Sequence, residues 1–176
     1  NRQFGWNEKQ VEFVILEDDD EVITNKLVYF INKIGIKGFG PERVRSLVSA
    51  GIKDIHTLLL VTPAQINNIP GIGPLLSNQL YTDLHNKITN ISGPLIMAAS
   101  GLFPHIGVRR FEAIFAVYPN FMDMIYEDAT VVEGYIKNIH GFDKLASEIS
   151  QRLRLFGDWL KENPMITIRR ENIQTL

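Results

Sequence analysis

The feature that most constrains this chain is a short turn that comes back four times. Lys37-Gly38-Phe39-Gly40, Pro70-Gly71-Ile72-Gly73, Pro104-His105-Ile106-Gly107 and His140-Gly141-Phe142-Asp143 share one pattern: Gly or His, an apolar residue, then Gly or Asp. Their second residues, Gly38, Gly71, His105 and Gly141, are separated by 33, 34 and 36 residues. A near-constant period of this size marks a supersecondary unit that buries its apolar face against its neighbours.

The flanks of each turn read as helices. Leu27, Phe30, Ile31 and Ile34 recur at i, i+3, i+4, i+7, one face of a helix. Pro41 opens the next helix, with Val44, Leu47 and Val48 facing inward and Gly51 as its stop. Thr62-Pro63 starts a helix bearing Ile66 and Ile69, and Pro74 starts one bearing Leu76, Leu80, Leu84 and Ile88. Ser92-Gly93-Pro94 restarts the chain with Leu95, Ile96 and Ala99, and Phe111, Ile114, Phe115 and Tyr118 follow the third turn. Val132, Tyr135 and Ile136 precede the fourth, and Leu145, Ile149, Leu153, Phe156 and Leu160 follow it. The expected fold is all-α: helix, short hairpin, helix, four times over.

The ends read differently. Residues 1–21 carry seven acids and two bases, a charge of −5, against +3 for the remainder. Within them Val11–Leu16 is a β-prone extended segment, and Glu17–Glu21 reads as a solvated acidic loop rather than a metal site. Met165-Ile166-Thr167-Ile168 reads as an extended tail or linker to a following domain. The first residue is Asn1 rather than Met, so a piece of a longer chain is expected. The absence of cysteine excludes disulfides, Cys-based zinc sites and Cys nucleophiles. No signal peptide or bilayer-spanning run is visible, and an intracellular, cytoplasmic location is expected.

The repeated turn has a chemistry. Glycine admits positive φ and close approach of another molecule. The central apolar residue (Phe39, Ile72, Ile106, Phe142) pins the turn to the core, so the turn's N–H groups and the free amides of the next helix point outward together. That is a site for one phosphate at the positive end of a helix, and it touches backbone without reading base sequence. The candidate phosphate contacts are Lys37, Gly38, Gly40, Arg43 and Arg45 at the first turn, and Gly71, Gly73, Ser77 and Asn78 at the second. At the third they are His105, Gly107, Arg109 and Arg110, and at the fourth Gly141 and Lys144. Asp143 places a carboxylate at the fourth site and reads as the N-cap of the long helix. His56, His85, His105 and His140 are too scattered for a helical metal site, so no metal and no catalytic residues are assigned. Trp6 and Trp159 read as packing residues rather than base-stacking platforms.

These residues resemble the tandem helix-hairpin-helix domain of bacterial-type, NAD-dependent DNA ligases. Lys37-Gly38-Phe39-Gly40-Pro41 is similar to the family's first hairpin, after a helix similar to its "HF…R" helix, here Tyr29-Phe30-Ile31-Asn32. Thr62-Pro63 with Ile69–Gly73 is similar to the second repeat. Gly101–Gly107 is similar to the third, where the family also has His before an apolar-Gly pair. The fourth departs, with Asp143 where Gly is expected. The resemblance covers about residues 22–162. It implies two tandem pairs of helix-hairpin-helix motifs, over 22–90 and 91–163, between the acidic segment 1–21 and the tail 164–176.

The resemblance further implies a non-sequence-specific module for double-stranded or nicked DNA. Its partner would be the adenylation domain or subunit of a ligase that seals nicks in replication and repair. NAD and magnesium would belong to that parent and no cofactor to this part. The family's four-Cys zinc finger has no counterpart in residues 5–23, and its Lys-x-Asp-Gly nucleophile motif is absent. The chain itself is therefore expected to be non-catalytic, and the departures suit a viral or phage relative. Two other classes stay open. One is the DNA-binding part of a nuclease or junction binder, since Pro-Gly-Ile-Gly turns are shared with such proteins. The other is a helical-repeat scaffold that binds protein.

Overall fold

The computed structural model describes residues 19–170. Trp6 and the β-prone run Val11–Leu16 lie outside the described residues. The described chain is helical. In order come α1 (Asp20–Lys33), α2 (Pro41–Ser49), α3 (Ile55–Leu60), α4 (Pro63–Ile66), α5 (Pro74–Ile88), α6 (Gly93–Ala99) and α7 (Val108–Val117). A single 3₁₀ turn (Phe121–Met124), α8 (Ala129–Lys137) and α9 (Leu145–Glu162) complete it.

The helices pack in sequential partners: α1 on α2, α4 on α5, α6 on α7 and α8 on α9, with α1 and α6 meeting between the two halves. The periodic residues fill one continuous core. Leu27, Phe30 and Ile31 of α1, Leu80 and Leu84 of α5, Phe111 and Ile114 of α7, and Ile149, Leu153 and Phe156 of α9 are all buried. In the second half the core is aromatic: Phe103 meets Phe111 at 5.0 Å and Phe156 at 5.8 Å between ring centroids. Trp159 stacks on Phe156 at 5.9 Å, in keeping with a packing role.

The acid string is not wholly a loop. Asp19 caps α1 by accepting from the Val22 N–H at 2.9 Å, and Asp20 and Glu21 lie in the first helical turn. Carboxylates there complement the positive end of the helix, which outweighs their mutual repulsion. Asp20 also pairs with Lys53 at 3.1 Å and Glu21 with Arg45 at 3.7 Å.

The described part of the tail lies back on the body, with Ile168 bridged to Ile91. Ile91 N–H donates to Thr167 (2.9 Å), Thr167 N–H to Ile88 (3.0 Å) and Arg169 N–H to Ile91 (2.7 Å). Ile166 is buried, and Asn163 is fully enclosed with its Oδ1 3.0 Å from Nδ1 of His56 in the first half.

Close approach decides one position in α9. A Cβ at Gly157 would overlap Ile125 and stand 2.9 Å from the end of the Tyr126 ring. The segment after the 3₁₀ turn crosses α9 where it has no side chain.

Candidate nucleic-acid interface

The four repeated turns adopt one backbone shape. Gly38, Gly71 and Gly141 have φ of 90°, 86° and 87°, and His105 occupies the same left-handed region at 68°. A non-glycine residue there costs about 1 kcal/mol or more. The residue after each is buried: Phe39 and Ile72 at 2% exposure, Ile106 and Phe142 at 4%. Each turn is thus anchored by its apolar residue, while the Gly or His before it is exposed.

The helices that leave these turns differ from the others at their N-termini. Asp19, Asp54, Ser92 and Asp128 cap α1, α3, α6 and α8 with side-chain oxygens, and at the one-turn α4 the Gln65 side chain reaches back to accept from the Thr62 N–H at 2.8 Å. At Asp128 the Thr130 backbone N–H, the Thr130 hydroxyl and the Val131 N–H hold the carboxyl below its ordinary range. The helices α2, α5, α7 and α9, which follow the four turns, have no side-chain cap. In α2, α5 and α7 the capping residue is Gly40, Gly73 or Gly107, whose carbonyl accepts from the N–H four residues on. Among the described residues the N–H groups of Gly38, Gly40, Gly71, Gly73, His105, Gly107 and Gly141 donate no hydrogen bond. Four uncapped positive helix ends therefore meet solvent beside four left-handed turns, an arrangement suited to anions.

The fourth turn departs from the others. Ala146 N–H donates to Phe142 (2.9 Å), and the helix itself starts at Leu145 with Lys144 as its capping residue, one position later than in the other three. Asp143 is exposed in the turn and makes no side-chain hydrogen bond among the described residues. The expected N-cap role is absent, because the capping position falls on Lys144 and leaves this carboxylate one residue before it.

The turns come together in twos. Arg43 donates from Nη1 to the Gly38 carbonyl at 2.8 Å and from Nε to the Gly71 carbonyl at 3.4 Å, joining the first two turns. Arg110 lies 5.7 Å from the Phe142 ring centroid, joining the third and fourth. Lys37, Arg109 and Lys144 are exposed beside their turns, and Asn78 is exposed on α5. Arg45 is exposed with Glu21 beside it. Ser77 is fully buried and donates to the Pro74 carbonyl at 3.1 Å, so it is turned away from any surface ligand. Sequence reasoning missed the split between capped and uncapped helices. The signal was present: Asp or Ser precedes the capped helices, and Gly precedes three of the uncapped ones.

Elsewhere, a groove of about 540 Å³ lies between the halves, lined by Ile23, Tyr29, His56, Leu102, Trp159 and Asn163 among others. Among the described residues no three His, Asp or Glu side chains converge as metal ligands. No helix among them is long and apolar enough to cross a membrane.

An all-helical chain with paired, anion-suited turns is the class these features define. Comparison with known proteins adds one particular. The chain is 26% identical over 149 residues to a DNA ligase of Acanthamoeba polyphaga mimivirus, covering 82% of this chain and 23% of that protein. It thus spans about a quarter of the relative it matches. No family model matches the chain. No solved structure matches it.

Proposed function

We propose that this chain is a non-sequence-specific duplex DNA-binding module, built of four helix-hairpin-helix motifs in two tandem pairs. It would form part of a DNA ligase of the NAD-dependent type. The observation that carries the reading is the capping split: the helices that follow the repeated turns are those left open for an external anion. Similarity to a stretch of a viral DNA ligase supports duplex DNA as the source of that anion.

Each turn would hold one backbone phosphate through its N–H groups, with Lys37, Arg45, Arg109 and Lys144 adding charge around the contacts and the His105 side chain beside them. The module would hold the nick near an adenylation domain and raise its effective concentration there, while NAD and magnesium act in that domain. Four cations against phosphates give a slope of log K against log salt of about −3 to −4, the same for unrelated duplex sequences. Titrating two duplexes of equal length and different sequence tests this. A flat salt response, or strong preference for one sequence, contradicts it. Incubation with labelled NAD and magnesium is expected to leave the chain unlabelled, since no lysine sits in an adenylation motif.

A further inference from the structure

Aligning the four turns on the residue two past each left-handed position exposes an alternation three residues further on. Gly40 leads to Arg43, Gly73 to Leu76, Gly107 to Arg110 and Asp143 to Ala146. The first turn of each pair has an arginine there and the second an apolar side chain. Both arginines reach towards the partner turn: Arg43 to the Gly71 carbonyl, Arg110 to the face of Phe142. Leu76 answers from the other side, its Cδ1 lying 3.6 Å from the point a Cβ on Gly38 would occupy.

We propose that Arg43 and Arg110 are positioning residues that fix the distance between the two phosphate sites of each pair, rather than phosphate ligands themselves. The inference rests on the reading of the turns as phosphate sites. Two of Arg43's three nitrogens are engaged by carbonyl oxygens on two different turns. Those carbonyl oxygens are the negative ends of peptide dipoles beside the proposed sites, and the guanidinium offsets them while tying the two turns together. The role needs a planar fork. A lysine has one compact ammonium, which offers no rigid fork to hold two carbonyls at a set spacing and no planar face to lay on an aromatic ring. A fixed separation matters only for a ligand whose phosphates stand at a set distance across a groove, so the braces would favour a duplex over a single strand.

The experiment compares the unsubstituted chain with Arg43→Lys and Arg43→Met, and with Arg110→Lys, on a short duplex and a single strand of equal length across a salt series. The expected result is a loss of about tenfold on the duplex for each variant, little change on the single strand, and an unchanged salt slope. A phosphate ligand behaves otherwise. Arg43→Lys would then keep most of the affinity, and Arg43→Met would cut the slope by about one on both ligands. That pattern overturns the proposal. A measurement without DNA stands beside it. The chain has no cysteine, so spin labels at Lys37→Cys and Asn68→Cys report the distance between the first two turns. Adding Arg43→Lys should broaden that distance distribution, and an unchanged distribution overturns the brace. Failure of the unsubstituted chain to bind the duplex at low salt, with the label distance still broadened, overturns the phosphate reading and leaves the brace as a purely structural tie.

Discussion

The two halves of the molecule build the same surface with different materials. In the first half both turns have glycine at the left-handed position and at the helix-opening position, and Arg43 ties them through two carbonyls. In the second half His105 replaces one glycine, Asp143 replaces another, and Arg110 makes its tie to an aromatic face. What is constant is the positive φ, the buried apolar residue that follows it and the uncapped helix beyond. The lesson is that backbone shape is retained while the side chains around it vary, which is what the proposed role of the backbone amides would require.

Four substitutions would break or sharpen this comparison. The largest effect should come from Gly157→Ala, because the second half has a close helix crossing there. Despite a gain in helix propensity of about 1 kcal/mol, overlap with Ile125 and Tyr126 should leave the fold about 1–3 kcal/mol less stable. Thermal melting checks it, and an unchanged or raised midpoint would mean that the crossing yields readily. Next comes Gly73→Asp, which transplants the fourth turn's carboxylate into the second. Its φ of −94° suits any residue and no atom lies near the new Cβ, so the fold should persist. Duplex binding should fall about tenfold, read by anisotropy. Binding at full strength would show that the second turn is not a phosphate site.

His105→Gly is expected to raise stability by about 0.5–1 kcal/mol by removing the left-handed strain. It should also weaken duplex binding severalfold, so denaturant titration and binding move in opposite directions. Parallel losses would mean that the side chain supports the fold instead. Asp143→Gly should have the smallest effect. With no cap bond to lose, stability should shift by only about 0.3–0.5 kcal/mol through the helix dipole, and DNA binding should hold or tighten. Weaker binding with an intact fold would give this carboxylate a role that the turn geometry does not.

The helical class and the main core helices were legible because the apolar period is strong and Pro or Gly punctuates each turn. The turn residues were legible because repetition separates a pattern from chance. Asp19–Glu21 was misread because repulsion between neighbouring acids is visible in sequence, whereas a cap depends on where the helix starts. The engagement of Arg43 with Gly71 joins residues 28 apart, and nothing local announces it. The burial of Ser77 was hidden for a related reason: its hydroxyl is satisfied by Pro74 within its own helix, which leaves it free to face inward. Gly157 looks like a flaw in an amphipathic helix until the segment that crosses it is in place.

The return of the tail over residues 88–91 reaches beyond packing. Those residues are the link between the halves, and three backbone bonds from Thr167 and its neighbours clip them in place. Two grips on a loose tether can each find a phosphate, at the expense of ordering the tether when both engage. With the link clipped, that ordering is complete before any ligand arrives, and on the proposed reading the second grip would meet its target without a search. On the proposed reading the same rigidity would make the molecule a caliper: a nucleic acid that fits would be held at all its contacts together, and one bent or spaced differently would have to deform to the gauge or be held by half.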